Sequence, residues 1–248
     1  MVKNKKIRIT ITGASGYIGS ALVQSLIKSN YKLNIVTRKK KSKYQDNKDL
    51  SFYNLNLSLQ TSWEKIIKIS DIIIHLSSLT SLLDTKKDPI LSYKVNVLPI
   101  IHFVNLSLNQ SFSPKFIFCS TATIYKQTKK LPLNENAIIE PSTVYDYHKS
   151  IAEELLIKNS KISKINSIIL RFSNVYGYSS SNSSSKDRGF LNLVMKKIIN
   201  KEIVTVYGNG SYIRDYVFID DVIRAILLSI KNNFKKIEVF NIGTGRGT

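Results

Sequence analysis

Ile7-Arg-Ile-Thr-Ile-Thr-Gly13-Ala-Ser-Gly16-Tyr-Ile-Gly19-Ser-Ala-Leu22 decides the fold. An apolar, β-branched run gives way to glycines spaced by three, and apolar residues at helical spacing follow through Leu26 and Ile27. The pattern reads as strand, phosphate-binding loop and helix. A pyrophosphate can rest on the free N–H groups of a helix N-terminus only where no Cβ blocks its approach. Glycine is therefore wanted at the turn, beside the phosphate and where the helix packs on the strand. Gly13, Gly16 and Gly19 suit those positions in that order, and a dinucleotide is the expected ligand.

The chain has 248 residues, enough for one large domain or one domain with a small appendage. Hydrophobic residues make up 43%, as in a globular protein, and no apolar run comes near the ~18 residues of a membrane span. The opening Met-Val-Lys-Asn-Lys-Lys leads straight into the first strand, so a cytoplasmic protein with no membrane partner is expected. The one cysteine, Cys119, excludes an internal disulfide and a cysteine metal cluster. His75, His102 and His148 lack metal-ligand spacing, so no metal is expected. Lys+Arg 37 against Asp+Glu 17 gives a net charge of +20, which suits polyanionic small molecules. The lysines are spread along the chain and only Arg38 to Lys43 is dense, so nucleic acid is not an expected partner.

Leu33 to Thr37 reads as a second strand, and an acidic residue normally follows such a strand to bind the adenosine ribose. Arg38 stands there instead. A guanidinium can hold a 2′-phosphate through two charge-assisted hydrogen bonds, so NADP is expected in preference to NAD. Leu50 to Leu55 is a third strand and Thr61 to Ile69 a helix. Asp71-Ile-Ile-Ile-His75-Leu-Ser-Ser78 is a buried strand ending in small polar residues at the sheet's carboxyl edge, with His75 read as a packed residue. Pro89 to Leu108 reads as one long helix with Asn96 inside it, facing water or tying down a neighbouring loop.

Phe116-Ile-Phe-Cys119-Ser-Thr121-Ala-Thr123-Ile-Tyr125 is another buried strand running into hydroxyl residues. Further on, Tyr145 and Lys149 stand four apart at the approach to a helix and so share one face. A free tyrosine loses its proton only near pH 10. A neighbouring ammonium favours the phenolate, as does the charge of an oxidised nicotinamide. Tyr145 is thereby equipped to move a proton while a cofactor takes a hydride.

Asn166 to Leu170 is a sixth strand, and Ser179 to Ser185 reads as a mobile loop. Phe190 to Asn200 follows as a helix, Ile203 to Tyr207 as a short strand and Gly208-Asn-Gly210 as a turn. Arg214 precedes a helix over Val222 to Ile230, and Ile237 to Ile242 is the last strand. Residues 1–177 form the dinucleotide-binding domain. Residues 178–248 form a partial substrate-binding region interleaved with the last strands of the sheet.

Together these motifs resemble the extended short-chain dehydrogenase/reductases, the NAD(P)-dependent nucleotide-sugar epimerase/dehydratase family. The likeness runs from Ile7 to the final residue. It rests on Thr12-Gly-Ala-Ser-Gly-Tyr-Ile-Gly19, His75-Leu-Ser-Ser78, Asn96-Val97, Ser120-Thr-Ala-Thr-Ile-Tyr125, Tyr145 with Lys149, Arg171-Phe-Ser-Asn-Val-Tyr-Gly177, Arg214-Asp-Tyr216 and Asn241-Ile-Gly-Thr-Gly245. The resemblance implies an α/β fold, a Rossmann-type doubly wound parallel sheet with a small C-terminal substrate-binding portion. It implies Tyr145 as acid/base, Lys149 lowering its pKa and holding the nicotinamide ribose, and Thr121 bonding the reacting hydroxyl. Tyr17, Ile18, Asn56, Leu57, Leu76, Ser77, Ser78, Asn96 and Ser173 match cofactor positions beside the glycines. Asn174 and Arg214 match residues that hold a substrate diphosphate, where an arginine fork suits phosphate oxygens. A homodimer is the assembly the resemblance implies.

Departures from the family pattern narrow the reaction. The dehydratases follow Thr with Asp-Glu, which supply acid and base for water elimination, whereas Ala122-Thr123 stands here. The run from Ser120 to Tyr125 looks closer to the 4-epimerases. Asn56 replaces an aspartate often used on adenine, and Arg38 suits an exchangeable NADPH. The expected activity is epimerisation of a nucleotide sugar by reversible hydride transfer. An NADPH-dependent keto-sugar reductase, and a non-catalytic NAD(P)-binding sensor or scaffold, are the alternatives. Family members usually continue beyond Asn-x-Gly-Thr-Gly, so a chain ending at Thr248 reads as truncated.

Overall fold

The computed structural model describes residues 6–37, 47–108, 110, 112–163, 165–178, 189–205, 212–233 and 236–248. Its strands are β1 (Arg8–Thr12), β2 (Lys32–Val36), β3 (Leu50–Tyr53), β4 (Ile72–His75), β5 (Lys115–Thr121), β6 (Ser167–Phe172), β7 (Asn174–Tyr176), β8 (Tyr216–Phe218) and β9 (Ile237–Ile242). The helices are α1 (Tyr17–Leu26), α2 (Gln60–Ile69), α3 (Leu82–Lys87), α4 (Pro89–Asn96), α5 (Leu98–Leu108), α6 (Val144–Ile162), α7 (Phe190–Ile199) and α8 (Ile219–Lys231).

Apolar residues on both faces of the central strands require cover on both sides, and the parallel pairing supplies it through helical crossovers. Ile9 and Ile11 of β1, Ile74 of β4, Ile117 of β5 and Leu170 of β6 pack on one side with Leu22 and Leu26 of α1 and Ile226 of α8. Alternate residues of the same sheet, Ile73, Phe116, Phe118 and Ile169, pack on the other side with Trp63 of α2, Phe103 of α5 and Leu156 of α6. Each fully buried side chain of this size contributes roughly 1.5–3 kcal/mol.

Seven strands form one parallel sheet in the order β3-β2-β1-β4-β5-β6-β9. The order reverses between β1 and β4, which opens a crevice at their carboxyl ends. Thr12, His75, Thr121 and Phe172 are the last residues of their strands and all stand at that edge. The Rossmann-type doubly wound sheet is therefore the architecture of this chain. β7 and β8 form a separate two-stranded parallel sheet. Each is three residues long, too short to leave a period in the sequence.

The long helix expected over Pro89 to Leu108 is two helices. Val97 closes α4 with its N–H on the Tyr93 carbonyl, and α5 starts at Leu98. Pro99 explains the break, because it has no N–H to offer the Val95 carbonyl. This stretch is long and apolar enough to cross a membrane by length and composition, which corrects the expectation that no such run exists. Its apolar side chains Ile100, Phe103 and Val104 pack under the sheet beside Trp63 and Phe116.

The strand expected over Ile203 to Tyr207 does not form at residues 203–205, and the rest of it lies outside the described residues. Arg38, Ser179 to Ser185 and the Gly208-Asn-Gly210 turn also lie outside them.

Candidate active site

The glycine loop sits where β1 meets α1. The Gly16 N–H donates to the Gly13 carbonyl at 2.9 Å. Gly13 has φ +70°, and a Cβ there would come within 2.6 Å of the Ser77 nitrogen. A Cβ on Gly19 would come within 2.3 Å of the Gly13 carbonyl oxygen. The first turn of α1 has no acidic residue and Gly16 gives it no side-chain cap, so no carboxylate competes with an anion there. Tyr17 donates its hydroxyl to the Gly177 carbonyl at 2.6 Å, and burial raises its pKa. Ile18 packs against the neighbouring core.

Across the crevice, Thr12 Oγ1 lies 2.9 Å from His75 Nδ1. Burial, and after it the charge of Lys149, pulls His75 down to a pKa of about 3. The imidazole is neutral and stacks on Phe118, as a packed residue should. Beyond it, the loop of Leu76, Ser77 and Ser78 is held from α4. Asn96 Oδ1 accepts from Ser78 Oγ at 2.8 Å and from the Leu79 N–H at 2.9 Å, while its Nδ2 donates to the Leu79 carbonyl at 3.1 Å. Asn96 is buried and ties this loop down, the second of the two placements its position allowed. Past β3, Asn56 Oδ1 accepts the Ser58 N–H at 3.0 Å, and the Leu57 carbonyl accepts Trp63 Nε1 at 2.9 Å.

The Tyr145 helix starts earlier than its apolar spacing suggests. Thr143 caps α6 by accepting the Asp146 N–H at 3.1 Å, so Tyr145 and Lys149 stand on its first two turns. Lys149 Nζ donates to the Cys119 carbonyl at 2.6 Å and lies 3.9 Å from the Phe118 ring centroid. Burial pulls its pKa down to about 8, with Cys119 and Glu153 acting the other way. Burial likewise pushes the Cys119 thiol up to about 12, so it stays protonated. Thr121 ends β5 two residues beyond Cys119. Its Oγ1 lies 2.9 Å from Thr123 Oγ1 and accepts the Thr123 N–H at 3.2 Å. Thr123 in turn donates to Asp146 Oδ1, and Thr143 donates to Asp146 Oδ2 at 2.6 Å.

One helical turn below Lys149, Glu153 meets Arg171 of β6. Arg171 Nε and Nη2 reach Glu153 Oε2 at 3.0 and 2.7 Å with both side chains buried. Arg171 Nη1 donates to the Tyr125 hydroxyl at 2.7 Å and to the Glu135 carbonyl at 3.0 Å. Tyr125 passes the contact to Asn241 Oδ1 at 2.7 Å. This network braces α6, β6 and β9 behind the site.

The pairing of β7 with β8 sets Asn174 against Asp215, the residue that follows Arg214. Asn174 Nδ2 donates to the Asp215 carbonyl at 3.1 Å. Arg214 is exposed, with Nη1 on the Ile213 carbonyl at 2.9 Å and its guanidinium carbon 5.7 Å from the Tyr212 ring centroid.

Thr123, Asp146 and the Glu153–Arg171 pair did not stand out in the sequence. Thr143-Val-Tyr-Asp146 has the spacing of a capping box, which could have flagged Asp146. The pairing of Glu153 with Arg171 joins a helix to a strand and has no local trace.

The family model for the NAD-dependent epimerase/dehydratase family matches residues 9–243. The chain belongs to that family. It is an NAD(P)-dependent enzyme type, and its expected resemblance is upheld. A putative UDP-glucose 4-epimerase of Methanocaldococcus jannaschii is 29% identical, over 97% of this chain and 78% of the relative's length. The UDP-glucose 4-epimerase of Thermotoga maritima, solved with UDP-glucose, is 30% identical with a TM-score of 0.85, over 98% of this chain and 78% of that one. The UDP-glucose 4-epimerase of Thermus thermophilus, solved with NAD, shares the fold at 21% identity and TM-score 0.82, over 98% and 79% of the two chains.

A nicotinamide dinucleotide suits the residues present in this family member. The loop at Gly13 and Gly19 leaves no room for a Cβ, and the α1 N-terminus, with its helix dipole and no acidic residue in the first turn, suits a pyrophosphate. Ser173 Oγ, just past β6, is buried and has no hydrogen-bond partner among the described residues.

Proposed function

We propose that this chain interconverts the C4 epimers of a UDP-hexose, with NAD as its bound cofactor. The observation that carries the reading is the buried Lys149 ammonium on the Cys119 carbonyl, with Tyr145 one turn earlier on the same helix and Thr121 two residues beyond Cys119 at the carboxyl end of β5. NAD, when bound, supplies a reversible hydride acceptor. Lys149 favours the phenolate of Tyr145, which takes the proton of the reacting hydroxyl and later returns it. Thr121 hydrogen-bonds that hydroxyl. Asn174 and the exposed Arg214 hold the diphosphate. Gly13, Gly16, Gly19, Tyr17, Ile18 and the loop from Leu76 to Ser78 surround the dinucleotide.

The names of the M. jannaschii and T. maritima relatives support a UDP-hexose and position 4. The family's NAD dependence supports NAD. The NADP preference expected from Arg38 draws no support from these relatives. Ala122 and Thr123 lack the acid and base of water elimination, which separates the reading from dehydration.

The test is to incubate the purified chain with NAD and UDP-glucose. UDP-galactose should accumulate toward equilibrium with no net change in NADH. Steady consumption of NADPH with a keto-sugar, and no epimerisation, would replace the reading by a reductase.

A further inference from the structure

The hydroxyl chain from Thr121 to Asp146 has a direction. A carboxylate accepts hydrogen bonds and donates none, and a hydroxyl has one proton to give. Asp146 is buried, and its two oxygens face Thr143 Oγ1 at 2.6 Å and Thr123 Oγ1. Thr143 already accepts the Asp146 N–H, so its own proton goes to the carboxylate. The Thr123 proton goes to the other carboxylate oxygen. Thr123 has no second proton for Thr121, 2.9 Å away, so that contact is donated by Thr121. Thr121 Oγ1 also accepts the Thr123 N–H at 3.2 Å. Its proton and one lone pair are therefore committed, and one lone pair is left.

We infer that Asp146, acting through Thr123, fixes Thr121 as a hydrogen-bond acceptor toward the substrate, so that while Tyr145 holds its proton, as in the NADH-loaded protein, the site selects a donor group, a hydroxyl, at the reacting carbon over an acceptor-only group. This rests on the proposed function in one respect: it takes the reacting hydroxyl of the sugar nucleotide to lie at Thr121. Asp146 touches no substrate and is a positioning residue. It follows Tyr145 directly in sequence, so the same first turn of α6 places the acid/base and sets the polarity of its partner.

The experiment compares the affinities of UDP-glucose and its 4-deoxy-4-fluoro analogue, whose fluorine can accept but not donate. Calorimetric titrations use the NADH-loaded protein, so that neither nucleotide is turned over. The wild type should prefer the hydroxyl by roughly fivefold, the worth of one neutral hydrogen bond. Thr123→Val removes the acceptor for the Thr121 proton and should erase or invert that preference. Asp146→Asn can donate to Thr123 and should shrink it, while Thr123→Ser, which restores the relay, should keep it.

The polarity is overturned if the wild type binds both nucleotides equally, or if the preference persists in Thr123→Val. Asp146→Asn retaining the full preference overturns the role of the carboxylate. A merely structural role for Asp146 would weaken both ligands together and leave their ratio alone. Turnover is scored separately on the NAD-loaded wild type. Protein that binds the hydroxyl form preferentially but does not epimerise it refutes the activity and supports the polarity. Protein that epimerises with no preference refutes the polarity alone.

Discussion

The ammonium of Lys149 points into the protein at the carbonyl oxygen of Cys119, 2.6 Å away, and Phe118 from the same strand lies against it. A cation buried against a neutral carbonyl and a ring costs stability, which the fold alone gives no reason to bear. Its pKa of about 8, against an ordinary 10.5, measures that cost. In the proposed reaction the requirement is chemical, since the ammonium is there to favour the phenolate of Tyr145.

Lys149→Met should therefore stabilise the cofactor-free protein while abolishing turnover. Below pH 8 the folded wild type carries the full penalty of the buried charge. Between about 8 and 10.5 the unfolded chain binds the extra proton, so wild-type stability rises with pH across that window. The methionine variant should be more stable by roughly 2–3 kcal/mol at pH 7, after allowing for the Cys119 carbonyl it leaves unpaired, and its advantage should vanish by about pH 10. Urea unfolding of both proteins at the two pH values checks this. A variant that is less stable at pH 7 would contradict the burial cost.

Tyr145→Phe keeps the ring on α6 and removes the hydroxyl proposed to move the proton. Epimerisation of UDP-glucose should fall by about 10²–10⁴ while NAD affinity stays within a few fold. Turnover by chiral or coupled assay and NAD titration by calorimetry give the two numbers. Activity within tenfold of wild type would move the acid/base role elsewhere.

Glu153→Gln should unfold the protein more readily, because Arg171 keeps its charge and loses the carboxylate at 2.7 Å in a buried setting. Breaking such a pair from one side costs about 3–5 kcal/mol. The double variant Glu153→Leu/Arg171→Met should recover part of that loss, since no unpaired charge remains. Thermal denaturation of the wild type and the two variants decides it, and a double variant that melts below Glu153→Gln would mean that the two residues do not act as a pair.

Much of this site was legible in the sequence because its signals are local. Gly13, Gly16 and Gly19 lie within one loop, and Tyr145 and Lys149 within one helical turn, so spacing alone brings them together. Buried strands such as Ile72–His75 declare themselves by uniform apolarity, and the alternation of strands with helices points to parallel pairing. What was missed depends on distant partners. Glu153 looks like one of two acidic residues on a solvated face until β6 brings Arg171 against it. Asp146 looks like a helix cap, and becomes more only because β5 ends with Thr121 and Thr123 above it. The break at Val97 was readable from Pro99 and was overridden by the length of the apolar pattern around it.

Gly19→Ala tests whether the tight loop serves the cofactor rather than the fold alone. A methyl group there would meet the Gly13 carbonyl at 2.3 Å and the Ala14 Cα at 2.7 Å, both backbone atoms. Neither can turn aside as a side chain would, so α1 must shift away from the loop at Gly13. Helix propensity alone favours alanine over glycine by about 1 kcal/mol, which works against the clash. The expected result is a lower melting temperature and at least a hundredfold loss of NAD affinity, because the N–H groups of α1 are carried off the pyrophosphate. Calorimetric titration with NAD gives the second quantity directly. An alanine variant that melts lower but binds NAD as well as the wild type would assign Gly19 to packing alone.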